Sequence, residues 1–499
     1  MLFNSFHFLL FFPIVTLFYF VLPQKIRWIW LLIASYYFYM CWNPTYALLM
    51  TASIVITYLS GLLIHRSNQL TDEKKRNFQR KLWVALSFSS NLAILFFFKY
   101  FHFAVDSVNR ALSYLNIQAL HPTFDVLLPV GISFYTFQAL SYTIDVYRGE
   151  LAAEKNIARY ALFVSFFPQL VAGPIERSKN LLPQIHERHT FDYARVKSGL
   201  LLMTWGFFQK LVIADRAAIL VNQVYTEYYL YSGVQIIVAT LLFAIQIYCD
   251  FSGYTDIAKG AARVLGFRLM DNFHQPYFAT SVQDFWRRWH ISLSQWFRDC
   301  LYIPLGGNRV SHFRKYINTM IVFLVSGLWH GASWSYVVWG GLHGCFQIIG
   351  ELTKPAKEKL YAKLHIRTNV FSFTLVKTLT TFFLVNFAWI FFRAGGTQTA
   401  IQMIQRIFQT FSLSAFFNGS LYTMGLNQRE FAITLLAILI LFLVDFAKYL
   451  KPDLHLGELF ARQSLWFRWL AYFFIAIGAL LVLAGLADYP QTQFIYFQF

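Results

Sequence analysis

Apolar residues in this chain fall into long runs separated by short polar stretches. The runs lie near 6–22, 27–42, 44–64, 82–103, 127–146, 197–222, 232–258, 316–330, 333–352, 370–392, 430–449 and 466–487. A helix needs about 20 apolar residues to cross the hydrocarbon core of a bilayer, so the pattern predicts repeated membrane crossings. A shorter run, 158–173, is interrupted by Pro168 and closed by Gly173-Pro174. Such breakers at membrane depth need protein or water around them, so this segment reads as re-entrant. The expected class is an all-α polytopic membrane protein without a soluble domain, a low-complexity linker or an internal repeat.

The polar stretches supply an orientation. Loop 65–81 carries Arg66, Lys74, Lys75, Arg76, Arg80 and Lys81, and 148–197, 259–315, 354–367 and 448–468 are also rich in cations. Segment 223–232 has no Lys or Arg, and 394–428 has only Arg406. Alternating crossings put every basic stretch on the cytosolic side. The first run reads as a retained span with Lys25 and Arg27 just after it, because neither a basic leader nor a cleavage pattern is present. The N-terminus is then expected outside.

Composition agrees. Of 499 residues, 57% are hydrophobic and 13% charged, about half the charge of a soluble domain. The formal net charge of +18 is explained by the inside-positive loops and by attraction to anionic membrane lipids, so no nucleic acid is expected as a partner. An anionic cytosolic ligand, such as a phosphate-bearing acyl donor, is a weaker third explanation. Cys41, Cys249, Cys300 and Cys345 are scattered, which argues against a disulfide framework or a zinc site.

Three clusters could carry chemistry. The first is Trp329-His330 in Gly327-Leu-Trp-His-Gly331. A helix rises about 1.5 Å per residue, so His330 stands roughly 22 Å beyond the basic pair Arg314-Lys315. An ionisable group at that depth marks a reaction centre or a transport path by default. The second is Trp286-Arg-Arg-Trp-His290, in a region too polar to cross and too aromatic for a plain loop. Ser281 with Asp284 predicts a capping box, and on the amphipathic helix that follows, Arg287, Ser294 and Arg298 share a stripe with His290 at its border. Pro304 and Gly306-Gly307 end it. The third is Asp250-Phe-Ser-Gly-Tyr-Thr-Asp256, at the end of a long apolar run.

Each cluster has a structural alternative. His330 is bonded to a neighbouring helix, the arginines anchor the helix in the headgroups, Asp250 and Asp256 pair with Arg263 or Lys259, and His343 packs. Set against these, a buried neutral imidazole can take a proton from a hydroxyl. Attack on an acyl thioester needs that base, a positioned nucleophile and donors for the developing oxyanion, and no metal.

The stretches Pro129–Tyr135, Phe167–Ile175, Asp250–Asp256, Asp284–Ser294, Tyr302–Asn308 and Gly327–Ala332, with the ending Phe494–Phe497, resemble the membrane-bound O-acyltransferase (MBOAT) family. The likeness is to the bacterial branch that contains the membrane proteins of alginate O-acetylation and of teichoic-acid D-alanylation. It covers nearly the whole chain in order. The resemblance implies one membrane domain over 1–499, with N-terminal helices 1–125, a catalytic core 126–352 and C-terminal helices 353–499. It implies a ring of about 11–13 membrane helices, with re-entrant and interfacial helices, around a central funnel. It implies His330 as the catalytic histidine and His290 as a second polar position in the funnel. Cys249 and Cys300 depart from the branch, where an aromatic is common, and a thiol role is not favoured.

The length is similar to the alginate-like group, which makes acetyl the expected cargo. The resemblance thus implies transfer from a cytosolic thioester, acetyl-CoA or another, with no bound cofactor. Arg287, Arg288, Arg298 and Arg309 are candidates to hold the donor, together with Asp250, Asp256 and Trp329. The acceptor is an extracytoplasmic polysaccharide such as alginate, cellulose or peptidoglycan, reached through a periplasmic acetyltransferase partner, and the location is a bacterial inner membrane. An acyl carrier protein as donor, delivering D-alanyl or another acyl group, is the alternative within the class. A polysaccharide or lipid-linked transporter is the alternative outside it.

Overall fold

The computed structural model describes residues 1–120, 128–171, 173–452, 460, 462–473, 494 and 495. Most of the apolar run 466–487 and the positions Tyr496 and Phe497 lie outside the described residues. Those described form helices, turns and a single isolated bridge between Phe273 and Trp289.

The apolar runs become helices. In chain order they begin with α1 (Phe6–Val21), α2 (Gln24–Met40), α3 (Pro44–Ser67), α4 (Glu73–Leu95), α5 (Phe101–Tyr114) and α6 (Ile132–Arg148). The short α7 (Ile157–Ser165), α8 (Phe167–Leu170) and α9 (Ser178–His186) come next, then α10 (Tyr193–Phe207), α11 (Asp215–Thr226) and α12 (Gly233–Leu265). α13 (Val282–Arg288) and α14 (Ile291–Phe297) precede α15 (His312–His330), α16 (Trp334–Lys363), α17 (Phe371–Arg393), α18 (Thr397–Gln409) and α19 (Gln428–Leu450). A π-turn at Phe96–Tyr100 joins α4 to α5. By length and composition α3, the α4–α5 rod, α12, α17 and α19 can each cross a membrane. Burial sorts them. The most apolar stretch of α12 is 78% buried and that of the α4–α5 rod 17%, so α12 is a core element and the rod leaves most of its apolar surface uncovered by the protein.

Contacts divide the chain into two compact units. The first holds residues 1–200, 258–270 and 295–304. Its broken segment is a built feature. The helix stops at Phe166, and the carbonyl of Phe163 accepts from the side-chain amides of both Gln138 and Gln169, at 2.7 Å each. The N–H of Phe167 donates to Ser35 Oγ at 3.1 Å. Backbone groups freed by the break are thereby satisfied inside protein, which is the condition for irregular backbone at such depth. Arg177, almost wholly buried, meets Asp145 at 3.0 Å and Asp299 at 3.5 Å, and Ser178 Oγ donates to Asp145 at 2.7 Å.

The second unit holds residues 201–257, 271–294 and 305–499 as far as they are described. Its centre is the α15–α16 hairpin, which turns in three residues, Gly331–Ser333. A Cβ on Gly327 would lie 2.2 Å from the Tyr336 carbonyl oxygen, and one on Gly340 2.2 Å from that of Phe323. Glycine at these two positions lets the helix backbones touch. Lys315 and Glu351 pair between the two helices at the far end of the hairpin.

Candidate functional site

His330 is the last residue of α15, and the helix is unbroken from Lys315 onward. The roughly 22 Å between Lys315 and His330 is therefore a length along one helix axis. The ring is buried in a box of aromatic faces. Trp339 lies 4.9 Å from it between centroids, Trp329 5.1 Å and Phe392 5.5 Å. None of these contacts to Trp339 and Phe392 is visible from spacing, because α16 and α17 bring them in.

His290 reaches the same box by a different route. The expected continuous amphipathic helix does not form. α13 ends at Arg288, Trp289 is extended, and His290 takes a left-handed φ of 45° before α14 begins. The physical reason is a second strand of chain. The N–H of His274 donates to the Arg288 carbonyl and that of Ile291 to the Asn272 carbonyl, at 3.0 Å each. Asn272 Oδ1 also accepts from Ser292 Oγ at 2.6 Å. These bonds satisfy the backbone that the turn removes from the helix. The turn resets the rotation, so the stripe of Arg287, Ser294 and Arg298 is absent, and it swings the His290 ring fully inside. The capping box is also incomplete: Ser281 Oγ accepts the Asp284 N–H, but Asp284 takes the N–H of Thr280 rather than that of Ser281.

The two imidazoles end with centroids 6.4 Å apart. Phe251 meets the His290 ring edge to face at 4.7 Å, and Trp329 lies 5.7 Å from it. His290 stands in a turn outside the spanning helices. Burial there pushes its pKa down to about 3, because a desolvated ring disfavours the charged form.

Behind this pair is a third imidazole. His343 on α16 is fully buried, 4.9 Å from Trp339 and 5.2 Å from Trp286. The Trp286 indole N–H donates to His343 Nδ1 at 3.2 Å.

The acids of the third cluster are engaged within the protein. Asp250 pairs with Lys210 at 2.6 Å, and its other oxygen accepts the Ile495 N–H at 2.7 Å. Lys210 also meets Asp215 at 2.8 Å. Asp256 accepts from Gln209 Nε2 at 3.0 Å. Asp250 therefore pairs with Lys210, not with Lys259 or Arg263, and Arg263 bonds Ser198 Oγ. Lys210 lies forty positions before Asp250 and has no spacing signal.

The cations expected to hold a donor differ in freedom. Arg288 is tied to Asp284 at 2.9 Å and lies over the Tyr449 ring, and Arg298 pairs with its neighbour Asp299. Arg287 and Arg309 are exposed, with no ion pair to either among the described residues. Cys249 is buried. Burial pushes the Cys300 thiol up to about 11, so it is not a thiolate at neutral pH. Among the described residues no cluster of His, Cys, Asp and Glu could hold a metal.

Residues 150–392 match the model of the membrane-bound O-acyltransferase family. Over their full lengths, the chain and a protein of Pseudomonas putida named probable alginate O-acetylase AlgI are 37% identical. A peptidoglycan O-acetyltransferase of Helicobacter pylori is 32% identical over 98% of this chain and 95% of that protein. A teichoic acid D-alanyltransferase of Bacillus subtilis is 26% identical over 48% of this chain and 64% of that protein.

Proposed function

The chain belongs to the membrane-bound O-acyltransferase family and is a multi-pass membrane acyltransferase that takes an acyl donor; on that premise we propose that His330 and His290 form its reaction centre. The observation that carries this reading is the meeting of two buried imidazoles, 6.4 Å apart, from two different parts of the chain. Burying two ionisable rings side by side is costly, and sites of that kind cluster where chemistry is done.

The reaction is transfer of acetyl from a thioester to a hydroxyl. His330 accepts the hydroxyl proton as the oxygen attacks the carbonyl carbon. The resulting tetrahedral oxyanion collapses, the carbon–sulfur bond breaks, and the imidazolium returns its proton to the departing thiolate. An ester and a free thiol result. His290, neutral at physiological pH, orients the attacking group and stabilises charge through its ring. Trp329 walls the site. The donor is acetyl-CoA, its phosphates held on the cytosolic face by the exposed Arg287 and Arg309, with Arg288 adding positive field. Asp250 and Asp256 hold the core helix in place.

The acceptor is an extracytoplasmic polysaccharide, reached through a periplasmic acetyltransferase partner. The named relatives act on alginate and on peptidoglycan, which supports a polymer of this kind. We assign the chain to the bacterial inner membrane with its N-terminus outside, from the alternation of basic and cation-poor loops.

The test uses membranes containing the full chain, labelled acetyl-CoA and the cell's own envelope polymer. His330→Ala is expected to abolish label transfer while insertion and yield stay at wild-type level. Wild-type transfer by that variant removes His330 from the mechanism. Replacing acetyl-CoA with an acetylated acyl carrier protein decides between the two donors.

A further inference from the structure

Trp286 fixes the chemistry of His343. An indole nitrogen can only donate a hydrogen bond, so His343 Nδ1, which faces the Trp286 N–H at 3.2 Å, is the acceptor. The neutral ring then carries its proton on Nε2. That Nε2–H is fully buried and has no acceptor among the described residues. The indole N–H of Trp339 is in the same condition. So are those of Trp289 and Trp389, which lie 5.3 Å apart, with Trp389 stacked on Trp339 at 5.7 Å.

Buried donors nearly always find partners, and a buried donor without one destabilises the fold. Trp339, against His330, and His343, against Trp339, offer two such N–H groups that can serve an oxygen brought in by substrate. Trp339 is the bridge. Its ring lies 4.9 Å from both His330 and His343.

We propose that Trp339 and His343, the latter oriented by Trp286, form the subsite that binds the carbonyl oxygen of the acyl thioester beside His330. The inference rests on the reading of His330 as the reaction centre. The donors meet the carbonyl on binding and tighten as attack moves charge onto its oxygen, which is where preorganised N–H groups contribute most. Trp286 is a positioning residue: it holds the tautomer that puts a proton on Nε2.

The experiment removes N–H groups and keeps the rings. Trp339→Phe, Trp286→Phe, His343→Leu and His343→Gln are made in the full chain. The initial rate of ester formation on envelope polysaccharide is measured per folded molecule, with the thermal midpoint of each purified variant. Losing one such donor is expected to slow turnover about 10²–10³-fold. Trp339→Phe should show this loss in kcat, with the acceptor's KM unchanged and a midpoint equal to or above wild type. His343→Gln, whose amide offers Trp286 an oxygen and keeps an N–H, should be at least tenfold faster than His343→Leu. A Trp339→Phe rate within tenfold of wild type overturns the proposal, and so does a fall in midpoint with the rate per folded molecule retained. Undiminished transfer by His330→Ala sinks the reading of the centre itself. Loss in His330→Ala together with a full rate in Trp339→Phe sinks only the carbonyl subsite.

Discussion

The ion-pair cluster of the first compact unit and the ring cluster around His330 in the second, which also buries the Lys210 ion pairs, are built on opposite terms. In the first, Arg177 is surrounded by the carboxylates of Asp145 and Asp299, and Ser178 donates to Asp145. Every charge there has an opposite charge in reach. In the second, the buried groups around His330 are neutral rings, and the N–H groups of Trp339 and His343 have no acceptor among the described residues. A buried charge has to be matched on the spot, since an unmatched one costs several kcal/mol. A neutral imidazole or indole can be left with spare hydrogen-bonding capacity at a smaller cost. The first cluster is thus a fastening. The second leaves N–H groups over, which is the capacity the proposed reaction centre would use.

Breaking the fastening should give the largest effect on stability and none on chemistry. Arg177→Met strands the buried carboxylate of Asp145, while Asp299 keeps Arg298, and loss of one partner from a buried ion pair costs about 3–5 kcal/mol. The expected result is a sharp fall in folded yield, read by detergent size exclusion, with the rate of the surviving folded fraction unchanged. A slowed rate per folded molecule would move Arg177 from fastening to catalysis. His290→Ala should do the reverse. Folded yield stays near wild type and turnover falls about 100-fold, in the range for loss of one preorganised group that stabilises developing charge. Because burial holds the His290 pKa at about 3, this ring does not titrate between pH 5 and 8, and the variant's pH–rate profile should keep the wild-type shape. A changed acid limb would show that His290 does titrate there. The smallest effect is expected at the surface. Arg287→Gln with Arg309→Gln should raise the donor's KM a few-fold at low salt and leave kcat and stability alone, since exposed charges contribute little and are screened. An unchanged KM would remove these two cations from donor binding.

The apolar runs were good guides to helices because a bilayer demands long unbroken apolar stretches and leaves few alternatives. The broken segment before Pro174 was equally legible, since Pro168 and the Gly-Pro pair have one local effect wherever they stand. His330 was legible for the same reason: an imidazole at the end of a long apolar helix needs no neighbour to look out of place. His290 was half legible. Its residue type and aromatic company marked it, but helical periodicity put it on the border of a surface stripe. Four bonds between Asn272 or His274 and residues 288–292 outweighed the local helix preference and turned the ring inward. Lys210 was not legible at all, because its pairing with Asp250 joins positions forty residues apart.

The amino-acid order alone determined that this is an all-α, multi-pass membrane protein, where its long apolar helices lie, and that His330 stands near the end of one of them, because these depend on local composition and on a fixed rise per residue. Which groups surround that ring was decided only by tertiary packing. Close backbone contact at Gly327 and Gly340 sets α16 against α15, and that contact places Trp339 and His343 in the box. The physical reason is that contact between distant residues depends on how helices pack, and no periodicity within one helix encodes it.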